Sequence, residues 1–291
     1  MNRLGAWAQL LRLPNLFTAI ADPAAGFFLV GLGFERWTDL AVVATASACL
    51  YAGGAVLNDA FDVRRDAAER PGRPIPAGMV SLTQAVAAGS VLLVMGVGVC
   101  FTVGGDTRWI AAALACGVIA YDGMLKKTFL APAVMGACRG LNLLLGASIA
   151  ADWSGPATGV AAGLLWLYVA SVTFFARREA AVSSRRRLGL GALGIVAAVM
   201  GLVTMQMALP GADTWYLLLV GVLLGQVAVP AWRAVQSRSP GDVQRAVKTF
   251  VVSIIVFDAC VVMAARGPLP AALILLLLVP TAWLAARIRV T

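Results

Sequence analysis

Leu40–Asp66 reads LAVVATASACLYAGGAVLNDAFDVRRD: 18 residues without a charge, and then Asn58 and Asp59 directly against the apolar run. An apolar stretch of about that length crosses a hydrocarbon core of roughly 30 Å as a helix. If the helix continues past its apolar part, at about 100° per residue, Asn58, Asp62 and Asp66 climb one face at i, i+4 and i+8, with Asp59 on the edge of the same arc. The apolar half of the stretch decides the fold class, an all-α transmembrane helix bundle. Its polar half gathers four oxygen-bearing side chains at one helix end.

The rest of the chain extends the same pattern. Of 291 residues, 60% are hydrophobic and 13% charged, and the mean hydropathy is +0.87; an ordinary soluble domain is roughly a quarter charged. Candidate spans fall at 14–34, 38–58, 80–103, 108–124, 131–151, 157–176, 188–209, 213–233, 246–265 and 269–287. The fourth is short and only Arg266, Gly267 and Pro268 part the last two, so nine to ten transmembrane helices are expected, in a single domain over 1–291. Met1 to Arg12 reads as an amphipathic lead-in rather than a cleavable signal.

The net charge of +9 is explained by placement, without any nucleic acid. With the N-terminus inside, Arg3 and Arg12, the arginines of 64–73, Lys126 and Lys127, and those of 177–187, 233–248 and 287–289 fall on the cytoplasmic side. Only Arg36, Arg108 and Arg266 fall opposite. The expected protein is therefore multi-pass, with its N-terminus and its long polar loops cytoplasmic. There is no histidine, which excludes imidazole bases and ligands. The five cysteines lie inside spans without metal-ligand spacing and read as packing residues.

Carboxylates crowded at a membrane boundary repel one another unless a cation sits among them. Hard oxygen donors suit Mg²⁺, which takes one or two carboxylates, waters and substrate phosphates; Asn58, Asp59, Asp62 and Asp66 are the expected ligands. The competing reading is a solvated helix end paired with Arg64, Arg65, Arg70 and Arg73. Arg70-Pro71 and Arg73-Pro74 predict an extended loop presenting guanidinium forks to phosphate oxygens. Lys126 after the fourth span is an interface anchor or a phosphate ligand, with Tyr121 and Asp122 beside it. In the fifth span Arg139 and Asn142 share a face at a depth where charge needs a partner or a cavity, and Gly136 and Gly140 have the spacing of close helix packing. After the sixth span, Arg177 and Arg178 are candidate phosphate ligands, and Glu179 is the carboxylate available to complete a metal site.

Asn58-Asp59-Ala60-Phe61-Asp62-Val63-Arg64-Arg65-Asp66, followed by Arg70 to Gly78, resembles the NDxxDxxxD and R-P-x-R-P-[IL]-x-[AS]-G signatures of the UbiA superfamily of intramembrane prenyltransferases. Arg12-Leu13-Pro14-Asn15-Leu16-Phe17-Thr18 and the Tyr121 to Lys127 loop add to the likeness. Arg139 to Gly146 and Phe175 to Ala180 look like the EboC-like branch. The superfamily's second motif, DxxxD after helix six, is absent; Ala176-Arg177-Arg178-Glu179 and then Ser183 stand there.

The resemblance implies a bundle around a central lipid-open cavity and Mg²⁺-dependent transfer of an isoprenyl group from a prenyl diphosphate to an unidentified acceptor. Asp62, Asp66, Lys126 and Asp122 are then the catalytic candidates. Asn15, Tyr121, Arg70, Arg73, Arg139, Asn142, Arg177 and Arg178 are the substrate-binding ones, and Asp122, Glu179 or Asp22 the acceptor base. A terpene cyclase on the same scaffold, a transferase of phosphosugars to polyprenyl phosphate, and a non-catalytic lipid carrier or transporter are the alternatives.

Overall fold

The computed structural model describes residues 3–177, 182–208 and 214–288, with the side chains of 206–208 left aside. Among these residues every regular element is helical. The helices are α1 (Arg3–Leu10), α2 (Leu13–Leu29), α3 (Trp37–Phe61), α4 (Val63–Glu69), α5 (Leu82–Val99), α6 (Thr107–Ala120), α7 (Ala131–Ala147), α8 (Pro156–Ala176), α9 (Arg185–Ala208), α10 (Thr214–Ser237), α11 (Pro240–Arg266), α12 (Pro268–Leu276) and α13 (Leu278–Arg287). A π-helical turn, Tyr121–Leu125, prolongs α6.

Among the described residues, eight helical segments are long and apolar enough to cross a membrane. The other two expected spans are α2 and α7, of 17 residues each, about 26 Å long at 1.5 Å per residue. These two carry the intramembrane charges Asp22 and Arg139. They pack against each other, and α2 also meets α3, α11 and α13. The protein is an integral multi-pass membrane protein, with α2 and α7 inside the bundle and residues such as Val94, Phe101, Trp109, Val222 and Val279 exposed on its outside.

Small residues set the closest contacts. A Cβ on Gly26 of α2 would overlap the Leu143 carbonyl oxygen of α7, and one on Gly146 of α7 would overlap the Pro23 carbonyl oxygen of α2. Without a hydrophobic force between helices in lipid, such backbone approach is what small residues supply. Gly136 and Gly140 serve similarly, facing Trp166 and Ala162 of α8.

The Arg-Pro segment differs from expectation. Arg73 N donates to Arg70 O, Ala77 N to Arg73 O, and Gly78 N to Ile75 O at 2.9–3.0 Å. The segment therefore coils into successive turns instead of running extended, closing at Gly78 with a positive φ. The cause lies in Arg73, which turns inward to buried carboxylates while Arg70 stays exposed. Ser81 then starts α5 with a reciprocal capping box to Gln84.

Candidate active site

At the end of α3 the helical hydrogen bonding nearly persists. Asp62 N donates to Asn58 O and Asp66 N to Asp62 O, so the i, i+4, i+8 face survives a bend at Asp62 into α4. Asp59, Asp62 and Asp66 are 7%, 6% and 1% exposed, so this helix end is not solvated, although its expected pairing with Arg65 and Arg73 is present. What quiets them is the chain's own cations. Arg73 reaches Asp66 at 2.7 Å and Asp59 at 3.3 Å, while Arg12, at the junction of α1 and α2, reaches Asp59 at 3.2 Å. Lys126 lies 2.8 Å from Asp62 Oδ1 and 3.2 Å from Asn58 Oδ1, and Arg65 borders Asp62 from outside at 3.5 Å.

The cluster opens onto a cavity of about 240 Å³. Arg12, Asn58, Tyr121 and Asp122 line its upper end, and Ser47, Arg139 and Asn142 its lower one. From Asn58 to Ser47 along α3 is 11 residues, about 16 Å. Leu50, Ala55, Leu114, Val118 and Met135 supply the apolar lining. The π-helical turn places Tyr121 and Asp122 toward this space; its closing bond runs from Lys126 N to Tyr121 O.

Deeper in, Arg139 is held rather than free. Its Nη1 donates to Asp22 Oδ2 at 2.7 Å and to Thr18 O at 2.9 Å, and its Nη2 to Thr18 Oγ1 at 2.8 Å. Asn142 Nδ2 donates to Ala19 O and Asp22 Oδ2, both at 2.8 Å. Asp258 of α11 is fully buried near Asp22, and neither of its carboxylate oxygens has a hydrogen-bond partner. Asp22 is thus the counter-ion of Arg139 and does not line the cavity, which removes it as an acceptor base.

The remaining candidates divide. Asn15 is not among the cavity-lining residues. Arg70 is exposed and forms no ion pair among the described residues. Arg177 donates to the Thr128 carbonyl and so ties the loop before α7 to the end of α8. Arg178 and Glu179 lie outside the described residues. Arg12, Ser47, Tyr51 and Asp258 were not singled out as site residues from the sequence. Asp258 had a signal, a lone carboxylate within an apolar span; Arg12 stood in the Arg12–Thr18 stretch of the family likeness and at the interface, where arginine also serves topology.

Among the described residues no three acidic or cysteine side chains stand ready to enclose a metal. The donors nonetheless suit Mg²⁺. Asn58 Oδ1 and Asp62 Oδ1 already converge on one cation, the Lys126 ammonium, and the buried Asp66 Oδ1 lacks a partner. A site with few protein oxygens is what Mg²⁺ uses when phosphates complete its shell.

The family model described as UbiA prenyltransferase family matches residues 19–255. A digeranylgeranylglyceryl phosphate synthase of Ignicoccus hospitalis is 33% identical over 155 residues, 53% of this chain and 50% of that one. The chain spans about half the length of the curated relatives it matches. Among solved structures, one of a digeranylgeranylglyceryl phosphate synthase aligns with 92% of this chain and all of that chain at TM-score 0.69 and 18% identity. A homologue from Archaeoglobus fulgidus, solved bound to DMAPP and Mg²⁺, aligns with 88% of this chain and 97% of that one at TM-score 0.59 and 12% identity. At such identities the structural likeness speaks for the fold.

Proposed function

Because the chain belongs to the UbiA prenyltransferase family, we propose that it transfers an isoprenyl group from a prenyl diphosphate to a second, hydroxylated acceptor, releasing diphosphate at the cytoplasmic face. The observation that carries this reading is the Lys126 ammonium gripped between Asn58 and Asp62 at the mouth of a largely apolar cavity. Acidic and basic side chains there alternate around a point where a metal and a diphosphate would meet.

Asn58 and Asp62, with Asp66 and Asp59 behind them, would hold Mg²⁺. When bound, Mg²⁺ supplies charge neutralisation on the departing diphosphate. Lys126 and Arg12 lie at the cavity's upper end and offer N–H donors to the phosphate oxygens as the allylic C1–O bond breaks. Leu50, Ala55, Leu114 and Val118 surround the prenyl chain and exclude water from the allylic cation. Asp122 is the carboxylate that lines the cavity, and it accepts the acceptor's hydroxyl proton as the new bond forms.

Detergent-purified protein tests the reading through Mg²⁺-dependent diphosphate release from a prenyl donor. Asp62→Ala is expected to abolish release, and a variant that turns over like the wild type overturns the assignment. Lipid mass spectrometry of cells carrying either form then identifies the product by its disappearance with Asp62→Ala.

A further inference from the structure

A second cavity, of about 180 Å³, lies between α10 and α11 and is lined by Pro230, Arg233, Asp242, Arg245, Ala246 and Thr249. Counting α2 as the first crossing, α3 is the second and α10 the eighth, so both finish on the same side of the membrane, the side of the acidic cluster. Trp215 and Trp232 stand exposed near the two ends of α10, 17 residues or about 26 Å apart. That spacing matches a hydrocarbon core of roughly 30 Å with a tryptophan at each interface. Arg233 follows Trp232, so the cavity opens at the depth of lipid headgroups. Val222 and Val229, exposed on the membrane-spanning part of α10, lie at the depth of the acyl chains.

The two guanidiniums in this cavity are differently held. Arg245 is fixed along one edge: its Nη2 donates to Asp242 Oδ1 at 2.6 Å and its Nε to Gly241 O at 3.3 Å, while Asp242 Oδ2 accepts from Ser239 Oγ at 2.9 Å. Arg233 forms no hydrogen bond or ion pair among the described residues. Set against Asp242, the two arginines leave one positive charge unbalanced and most of their N–H donors unused. We propose that this cavity binds the phosphodiester of an anionic glycerophospholipid, at a site separate from the prenyl-transfer cavity and independent of the proposed function. A phosphodiester carries a single negative charge, which closes the balance, and its two unesterified oxygens offer an acceptor to each guanidinium. Its esterified oxygens lead one way into the acyl chains beside Val229 and the other way into the polar headgroup. The second charge of a phosphate monoester would stand uncompensated beside Asp242, and a zwitterionic headgroup would bring a cation to Arg233. Arginines at a membrane surface also serve topology alone, but on that account Arg238, exposed at the turn and outside the cavity lining, would count the same as Arg233.

The test is quenching of Trp232 by lipids brominated on their acyl chains, with the full chain in nanodiscs and the Trp232 component taken as the difference from Trp232→Phe. We expect brominated phosphatidylglycerol to be preferred to brominated phosphatidylcholine at least about tenfold, the worth of one charge-assisted hydrogen bond. Arg233→Gln should bring the preference down to the few-fold level of general surface attraction, whereas Arg238→Gln keeps most of it. Absence of a preference, or equal losses in the two variants, overturns the site. Brominated phosphatidic acid, a monoester, is expected to be taken up no better than phosphatidylglycerol; a stronger preference for it contradicts the charge balance, and this wild-type comparison decides alone if Arg233→Gln fails to fold. Relief of the quenching by millimolar inorganic phosphate or glycerophosphoglycerol assigns the cavity to a soluble phosphate and overturns the lipid.

Discussion

Replacing Gly146 by alanine tests whether the α2–α7 contact holds the polar centre of the molecule together. A methyl group there overlaps the Pro23 carbonyl oxygen, and Gly26 meets Leu143 from the other helix in the same way, so neither backbone can rotate away without meeting the other. The helices must part by roughly 1–1.5 Å to restore ordinary contact. That movement stretches the bonds from Asn142 to Ala19 O and from Arg139 to Thr18 O, now 2.8 and 2.9 Å, to about 4 Å, outside hydrogen-bond reach. Two lost bonds at about 1 kcal/mol each add to overpacking of about 1–3 kcal/mol. Alanine's better helix propensity returns about 1 kcal/mol. The net loss is about 2–4 kcal/mol, a fall in thermal midpoint on the order of 10 °C for a chain of this size. Thermal melts followed by fluorescence size-exclusion in detergent measure it. Gly163→Ala on α8, where a Cβ meets nothing within 4 Å, is the control and stays level or rises. A Gly146→Ala midpoint within about 2 °C of wild type would refute the close-packing argument.

Lys126→Ala removes the cation shared by Asn58 and Asp62 and is expected to lower kcat/KM for the donor by about 10–100-fold, the worth of a charge-assisted hydrogen bond, in steady-state diphosphate release; unaltered kinetics return Lys126 to an interface anchor. Arg73→Leu strands Asp66, leaves Asp59 to Arg12 alone and costs about 3–5 kcal/mol, read as loss of monodisperse protein on size exclusion, with Arg73→Lys recovering part because an ammonium restores the charge. Asp22→Leu leaves Arg139 without its counter-ion inside the bundle and should cost a similar amount. Asp258→Asn keeps the shape of a side chain that pairs with no cation and should change the thermal midpoint little; an equal fall in both variants contradicts the assignment of Asp22 as the counter-ion of Arg139.

The parts of the molecule legible in its sequence are those fixed by local rules. Hydropathy located the eight long apolar helices together with the shorter α2 and α7, and the period of 3.6 put Asn58, Asp62 and Asp66 on one face. Lys126 was visible as a cation after an apolar run, and the structure brings it to Asn58 across 68 residues. Pairings across the fold were not visible. Arg12 meets Asp59 across 47 residues and Arg139 meets Asp22 across 117, and no spacing rule links such positions. The competing reading already paired these carboxylates with nearby arginines, of which Arg65 and Arg73 do so, while Arg12 and Lys126 come from elsewhere in the chain. The expectation of an extended Arg-Pro loop weighed proline's restriction of φ without the inward pull of Asp66 on Arg73. Asp258 was legible and passed over: an ionisable group in an apolar span is itself a signal.

Charge balance connects these observations. Asp59, Asp62 and Asp66 face Arg12, Arg73 and Lys126, three negative against three positive, so the buried cluster is neutral without a metal. Adding Mg²⁺ alone would leave two surplus positive charges beside Lys126, and adding a diphosphate alone would set about three negative charges against the carboxylates. Together the two nearly cancel, and low dielectric makes the difference large. On the proposed function, Asn58 and Asp62 would hold the metal and the Lys126 ammonium, which now pairs with both, would serve the phosphate oxygens of the donor. The same pairs that balance these buried carboxylates would be the ones that a metal and a diphosphate meet, which explains why a site read from its sequence as a metal cage is built with a lysine at its centre.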